Sequence, residues 1–90
     1  MLGTIQIKGE ELNDFEVTDI CNSLSHGSVR LLSLRGCQMD DVSFKRITDR
    51  LKENSSLVQL NLSLGVVCNK QRVKWLCEAL KYNKNLSSLL

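Results

Sequence analysis

Apolar and polar residues recur in one order along this chain three times, and a fourth copy begins near its end. Leu2-x-x-Ile5-x-Ile7, Val29-x-x-Leu32-x-Leu34 and Leu57-x-x-Leu60-x-Leu62 share a spacing, and Leu86-x-x-Leu89 repeats its opening. The final apolar positions of each copy alternate by two, the period of a strand that buries one face. Further along, Val17, Ile20 and Leu24 recur as Phe44, Ile47 and Leu51, then as Val73, Leu76 and Leu80. Those positions are spaced by three and four, as on one face of a helix. The helical positions step by 27 and then 29 residues, whereas Ile5, Leu32, Leu60 and Leu89 step by 27, 28 and 29. One additional residue therefore separates strand from helix in the third unit, around 64–69. Each unit is predicted to be a short strand, a turn and an amphipathic helix. The units are expected at 1–27, 28–55 and 56–84, with a truncated copy at 85–90, in a single domain over 1–90.

Helix ends carry capping signals. Asn13 with Glu16 three residues on fits a capping box, Asp40 or Asp41 can cap the second helix, and Asn69 the third. Lys52 and Lys81 fall in last turns, where cations suit the helix dipole. Asn54 fits a helix C-terminal residue in the left-handed conformation.

The segment Val29-Arg-Leu-Leu-Ser-Leu-Arg-Gly-Cys37-Gln-Met39 carries the pattern L-x-x-L-x-L-x-x-N/C-x-L. Two others, Ile47-x-x-x-Leu51-Lys-Glu-Asn54-Ser-Ser-Leu57 and Leu76-Cys-Glu-Ala-Leu80-Lys-Tyr-Asn83-Lys-Asn-Leu86, share Leu-Lys-x-Asn-x-x-Leu. On these residues the chain resembles the ribonuclease-inhibitor-like class of leucine-rich repeat proteins, over nearly its whole length. The resemblance implies an α/β solenoid of about three and a half leucine-rich repeats, with parallel strands on the concave face and helices on the convex face. It also implies a fragment or short isoform of a longer array. Gly65 and Glu10 depart from the pattern where Asn or Cys is usual, so their turns are expected to be looser than the one at Cys37. Leu86, Leu89 and Leu90 have no following helix to cover them, so self-association through the C-terminal edge is expected.

Composition adds the limits of a small soluble module. The 90 residues are 42% hydrophobic and 24% charged, with no proline and a net charge of +2. No basic segment precedes an apolar run at the start, and no apolar stretch approaches the roughly 18 residues of a membrane span. A soluble, cytoplasmic protein with no membrane contact is expected. Lys45, Arg46, Arg50 and Lys52 on the second predicted helix, with Lys70, Arg72 and Lys74 on the third, could form a phosphate-binding stripe. Asp49, Glu53 and Glu78 interrupt it and no aromatics interleave, so the pattern argues against nucleic acid and for a solvated helix face.

Candidate chemistry is sparse. Cys21 and Cys77 fall at equivalent helix positions, Cys37 in the repeat's own slot and Cys68 in the lengthened turn. Without C-x-x-C spacing, and with His26 the single histidine, they are expected to be free structural thiols, and neither metal nor cofactor is implied. The triplets Asn54-Ser-Ser56, Asn61-Leu-Ser63 and Asn85-Leu-Ser87 could accept glycans but are read as structural. No catalytic motif is present, so a non-enzymatic protein is expected.

Binding to protein partners remains, and alternation tells where. Side chains between the inward leucines point out of the sheet, which selects Gln6, Lys8, Leu31, Ser33, Arg35, Gln59 and Asn61 as candidate contacts. Trp75 joins them because Asp19 and Arg46 hold its place in the other units and aromatics anchor interfaces, although packing under the lengthened turn at Val66 and Val67 is the favoured reading of it. The resemblance adds that the parent could be a regulator of an enzyme or small GTPase, or a scaffold in a cytoskeletal or centrosomal assembly.

Overall fold

Residues 3–90 are described in the computed structural model. Strands β1 (Thr4–Gln6), β2 (Leu31–Ser33), β3 (Gln59–Asn61) and β4 (Ser88–Leu89) alternate with helices α1 (Asp14–His26), α2 (Asp41–Glu53) and α3 (Lys70–Tyr82). The strands form one parallel sheet in the order β1-β2-β3-β4. Ile5, Leu32, Leu60 and Leu89 stand side by side across it.

Helix starts follow the expected caps. Asn13 Oδ1 accepts from Glu16 N–H at 2.9 Å while Glu16 Oε1 accepts from Asn13 N–H at 3.0 Å. Asp40 caps α2 through Ser43 N–H at 2.7 Å, and Asn69 caps α3 through Arg72 N–H at 2.9 Å. Each satisfies an amide that has no partner inside the helix.

Helix ends differ from expectation at Asn54. Gly27 closes α1 in the left-handed region at φ 75, but Asn54 and Asn83 close α2 and α3 in extended conformations. Both asparagines are buried and their side chains do the closing. Asn54 Nδ2 donates to Leu24 O at 2.9 Å in the preceding unit, and its Oδ1 accepts from Leu57 N–H at 2.8 Å. Asn83 repeats the arrangement, donating to Leu51 O and Asn54 O, both at 3.0 Å, and accepting from Asn85 and Leu86 N–H.

The core lies between sheet and helices. Leu32, Leu34, Leu60 and Leu62 fill it from the sheet, and Val17, Ile20, Leu24, Phe44, Ile47 and Leu51 from α1 and α2. Ile5 and Ile7 are only half-buried. Helix α2 packs against both α1 and α3. On α3 the equivalent apolar face is less covered: Leu76 and Leu80 are half-buried and Val73 is 48% exposed.

Turns after the strands also depart in part from the reading of the sequence. Gly9 at φ 65 and Gly36 at φ 72 occupy equivalent left-handed positions, and Leu64 takes the third at φ 63. Gly65 follows at φ 86, so the third turn does wind differently. The turn at Glu10 is not loose: its carbonyl accepts from Gln38 N–H, and Leu12 N–H donates back to Gln38 O, both at 2.8 Å. Backbone pairing with the second unit holds that turn.

The solenoid expectation requires correction. The chain forms a small α/β domain of three helices and four parallel strands, with extents of 26 × 25 × 19 Å. Strands advance only about 5 Å apiece, while a helix laid on a sheet is already about 20 Å deep, so this many units make a body as deep as it is long. No concave and convex surface of an extended array results. Among the described residues, no helix is long and apolar enough to cross a membrane.

Candidate protein-binding face

The outer side of the sheet gathers most of the candidate contacts. Register places Thr4, Leu31, Gln59 and Ser88 in one row and Gln6, Ser33 and Asn61 in the next. The ladder continues past the named strands through Gly9 N–H to Arg35 O at 3.0 Å and Gly36 N–H to Ser63 O at 2.9 Å. Lys8, Arg35 and Ser63 therefore form a third row. Gln6, Lys8 and Arg35 are exposed, while Leu31, Ser33, Gln59 and Asn61 are half-buried. Asn61 Oδ1 is engaged locally, accepting from Ser63 N–H at 3.0 Å and Ser63 Oγ at 2.6 Å.

Charge on this face has one sign. The chain has 10 acidic residues, and none occupies these rows. Lys8 and Arg35 stand on neighbouring strands, and among the described residues the ion pairs are Lys45–Asp49 and Arg72–Asp41. Trp75 lies apart from the face, on α3, half-buried against the core.

The helix side contains a correction to the basic stripe. Lys45 pairs with Asp49 at 3.0 Å, and Arg46 donates to Thr18 Oγ1 at 2.8 Å. Arg72 is not solvated at all, being 6% exposed. Its Nε donates to Asp41 Oδ1 at 2.8 Å, Nη1 to Val66 O at 3.0 Å and Nη2 to Met39 O at 2.6 Å. The guanidinium also lies 5.2 Å from the Phe44 ring centroid, a cation–π distance. It ties the lengthened third turn to the second unit. Sequence reasoning placed this residue in the basic stripe and missed its buried role, whose one signal was an arginine where the other capped helices carry Glu16 and Ser43.

Thiols and carboxylates show no gathering for chemistry. Cys21 and Cys37 are buried, Cys68 and Cys77 exposed, and all are free. Burial pushes the Cys21 thiol up, partly opposed by Arg46 and Arg50. Cys37 Sγ donates to Ile7 O at 3.3 Å, linking its turn to the first unit. Among the described residues, no three His, Cys, Asp or Glu side chains come together as a metal site would need. Asn85 is exposed, Asn61 half-buried and Asn54 buried, so the glycosylation triplets differ in access.

No family model matches the chain. In sequence it is 52% identical to leucine-rich repeat-containing protein 73 of rat and of human, over 86 residues that are 96% of this chain and 27% of each relative. It is 32% identical over 82 residues to human NACHT, LRR and PYD domains-containing protein 14, covering 89% of this chain and 7% of that protein. These matches support a leucine-rich-repeat-related family. The chain thus spans about a quarter of the length of the curated relatives it matches first.

Among solved structures the fold is similar to that of leiomodin-1 actin-binding site 2, with a TM-score of 0.73 at 17% identity. The likeness covers 97% of this chain and 51% of that one. It is a likeness of fold alone, and it accords with a compact α/β domain in place of the solenoid.

Proposed function

We propose that this chain is a protein-interaction module that acts without catalysis and meets its partner through the outer face of the sheet. The carrying observation is the row arrangement of Gln6, Lys8, Leu31, Ser33, Arg35 and Gln59, which offers polar and cationic groups around one apolar side chain. Kinship with leucine-rich repeat proteins supports a role in protein contacts. We further place the module in the cytoplasm, to be checked by imaging a tagged chain in cells.

Affinity capture from cell extract tests the proposal when wild type is compared with two variants. Leu31→Arg, on the sheet, should abolish capture of the specific partner. Lys45→Glu, on α2, should leave it intact. Identical capture by all three proteins would sink the sheet-face reading.

A cytoskeletal partner is the second reading, supported by the fold likeness to the leiomodin-1 actin-binding site. Co-sedimentation with actin filaments decides it, and a chain that stays in the supernatant at all filament concentrations would exclude that partner.

A further inference from the structure

Leu64 is the only non-glycine residue at positive φ among the described residues. Its counterparts, Gly9 and Gly36, meet the same backbone demand without a Cβ. A leucine held there works against the steric preference of L-residues, and its side chain recovers little by burial, being 65% exposed. Strain retained without a packing gain points to a role outside folding.

Its position suggests which role. Ser63, just before it, lies beside Arg35, and Arg35 beside Lys8. A Cβ built on Gly36 would come 3.8 Å from Leu64 Cβ, so Leu64 lies beside the glycine that follows Arg35. The end of the sheet face is therefore a lip on which neighbouring units carry Lys8 and Arg35 and the third carries the exposed Leu64. Like charges on neighbouring strands repel, and among the described residues neither cation is held in an ion pair.

We propose that this lip, formed by Lys8, Arg35 and Leu64, recognises a partner protein segment in which carboxylates stand beside an apolar side chain. The inference rests on the sheet-face reading and specifies the partner's chemistry. A carboxylate bridging the two cations removes their repulsion, and the planar guanidinium of Arg35 can engage it through two parallel bonds. Leu64 covers one side of that contact and excludes water from it. Nucleic acid fits the lip less well, because Phe15, Phe44, Trp75 and Tyr82 all lie on helices and leave no aromatic there for base stacking.

Fluorescence anisotropy with a short labelled peptide alternating Glu and Leu provides the test on the full chain. Binding should weaken as salt rises and drop about tenfold in a Lys8→Ala/Arg35→Ala double variant. Lys8→Glu/Arg35→Glu should prefer a peptide alternating Lys and Leu. Leu64→Gly and Leu64→Asn, both tolerant of positive φ, should each weaken binding about tenfold while the melting temperature stays level or rises. A merely structural Leu64 would give the opposite, a lower melting temperature with unchanged affinity. Equal affinity for the peptide with Gln in place of Glu overturns the acid preference, and so does tighter binding of a labelled single-stranded RNA through the same residues. If no peptide binds, the inference fails, while the Leu31→Arg capture experiment judges the sheet-face reading on its own.

Discussion

Arg72 shows what a single side chain can hold together. Arg72→Met keeps the apolar stem but strips donors from the Val66 and Met39 carbonyls, each worth about 1–3 kcal/mol when buried. Urea unfolding should register a loss of about 2–4 kcal/mol, with Arg72→Lys recovering part of it because one ammonium cannot span three acceptors. Acid should act on the same corner. Hydrogen bonds from Ser43 hold Asp40 below the usual carboxylate range, and Arg72 together with Asn69 does the same for Asp41. Both groups are more acidic folded than unfolded, so the stability they add is complete above about pH 4 and drains away as pH falls below it. Thermal melting should therefore be level near neutrality and decline below about pH 4, with a shallower decline in Asp41→Asn. Of this corner only the caps were legible in the sequence, Asn69 and a choice between Asp40 and Asp41. Arg72 meets its partners 31 and 33 residues away, and no repeat position announces such a reach.

At the scale of elements, periodicity sufficed for the strands and for the buried faces of α1 and α2, because spacing by two or by three and four is a local property. Caps were equally legible, since Asn13, Asp40 and Asn69 act on amides three residues ahead. The helix C-termini were not. Asn54 was expected to bend the backbone as Gly27 does, yet it keeps an extended conformation and bonds across units, which only the stacked partner makes possible. The two kinds of terminus should differ in sensitivity. Asn13→Ala removes an exposed cap and should cost about 1 kcal/mol. Asn83→Ala leaves the carbonyls of Leu51 and Asn54 and the amides of Asn85 and Leu86 without partners, and should cost about 2–3 kcal/mol in the same denaturation assay. Equal losses would mean that the buried asparagine has no energetic role beyond an ordinary cap.

Across the whole molecule, coverage is uneven. Helix α2 is flanked by two helices and buries Phe44, Ile47 and Leu51, whereas α3 leaves Val73 and Tyr82 exposed. Native-state hydrogen exchange should accordingly find the amides of α3 opening at lower free energy than those of α2, and equal protection would contradict the burial pattern. The order and parallel pairing of the units were legible, but their overall shape was not, because extents depend on how many units stack and not on the pattern within any one. The sheet face was legible as a set of outward positions, while the lip at Leu64 was hidden by a backbone angle that an insertion does not reveal. Lastly, the asparagine joints have a bearing on recombination. In each joint the donor is a side chain of the later unit and the acceptors are backbone carbonyls of the earlier one, which every sequence supplies. A chimera of two related chains thus needs to inherit the asparagine only downstream of its crossover, and the upstream parent is at liberty to contribute any helix that ends in the same place.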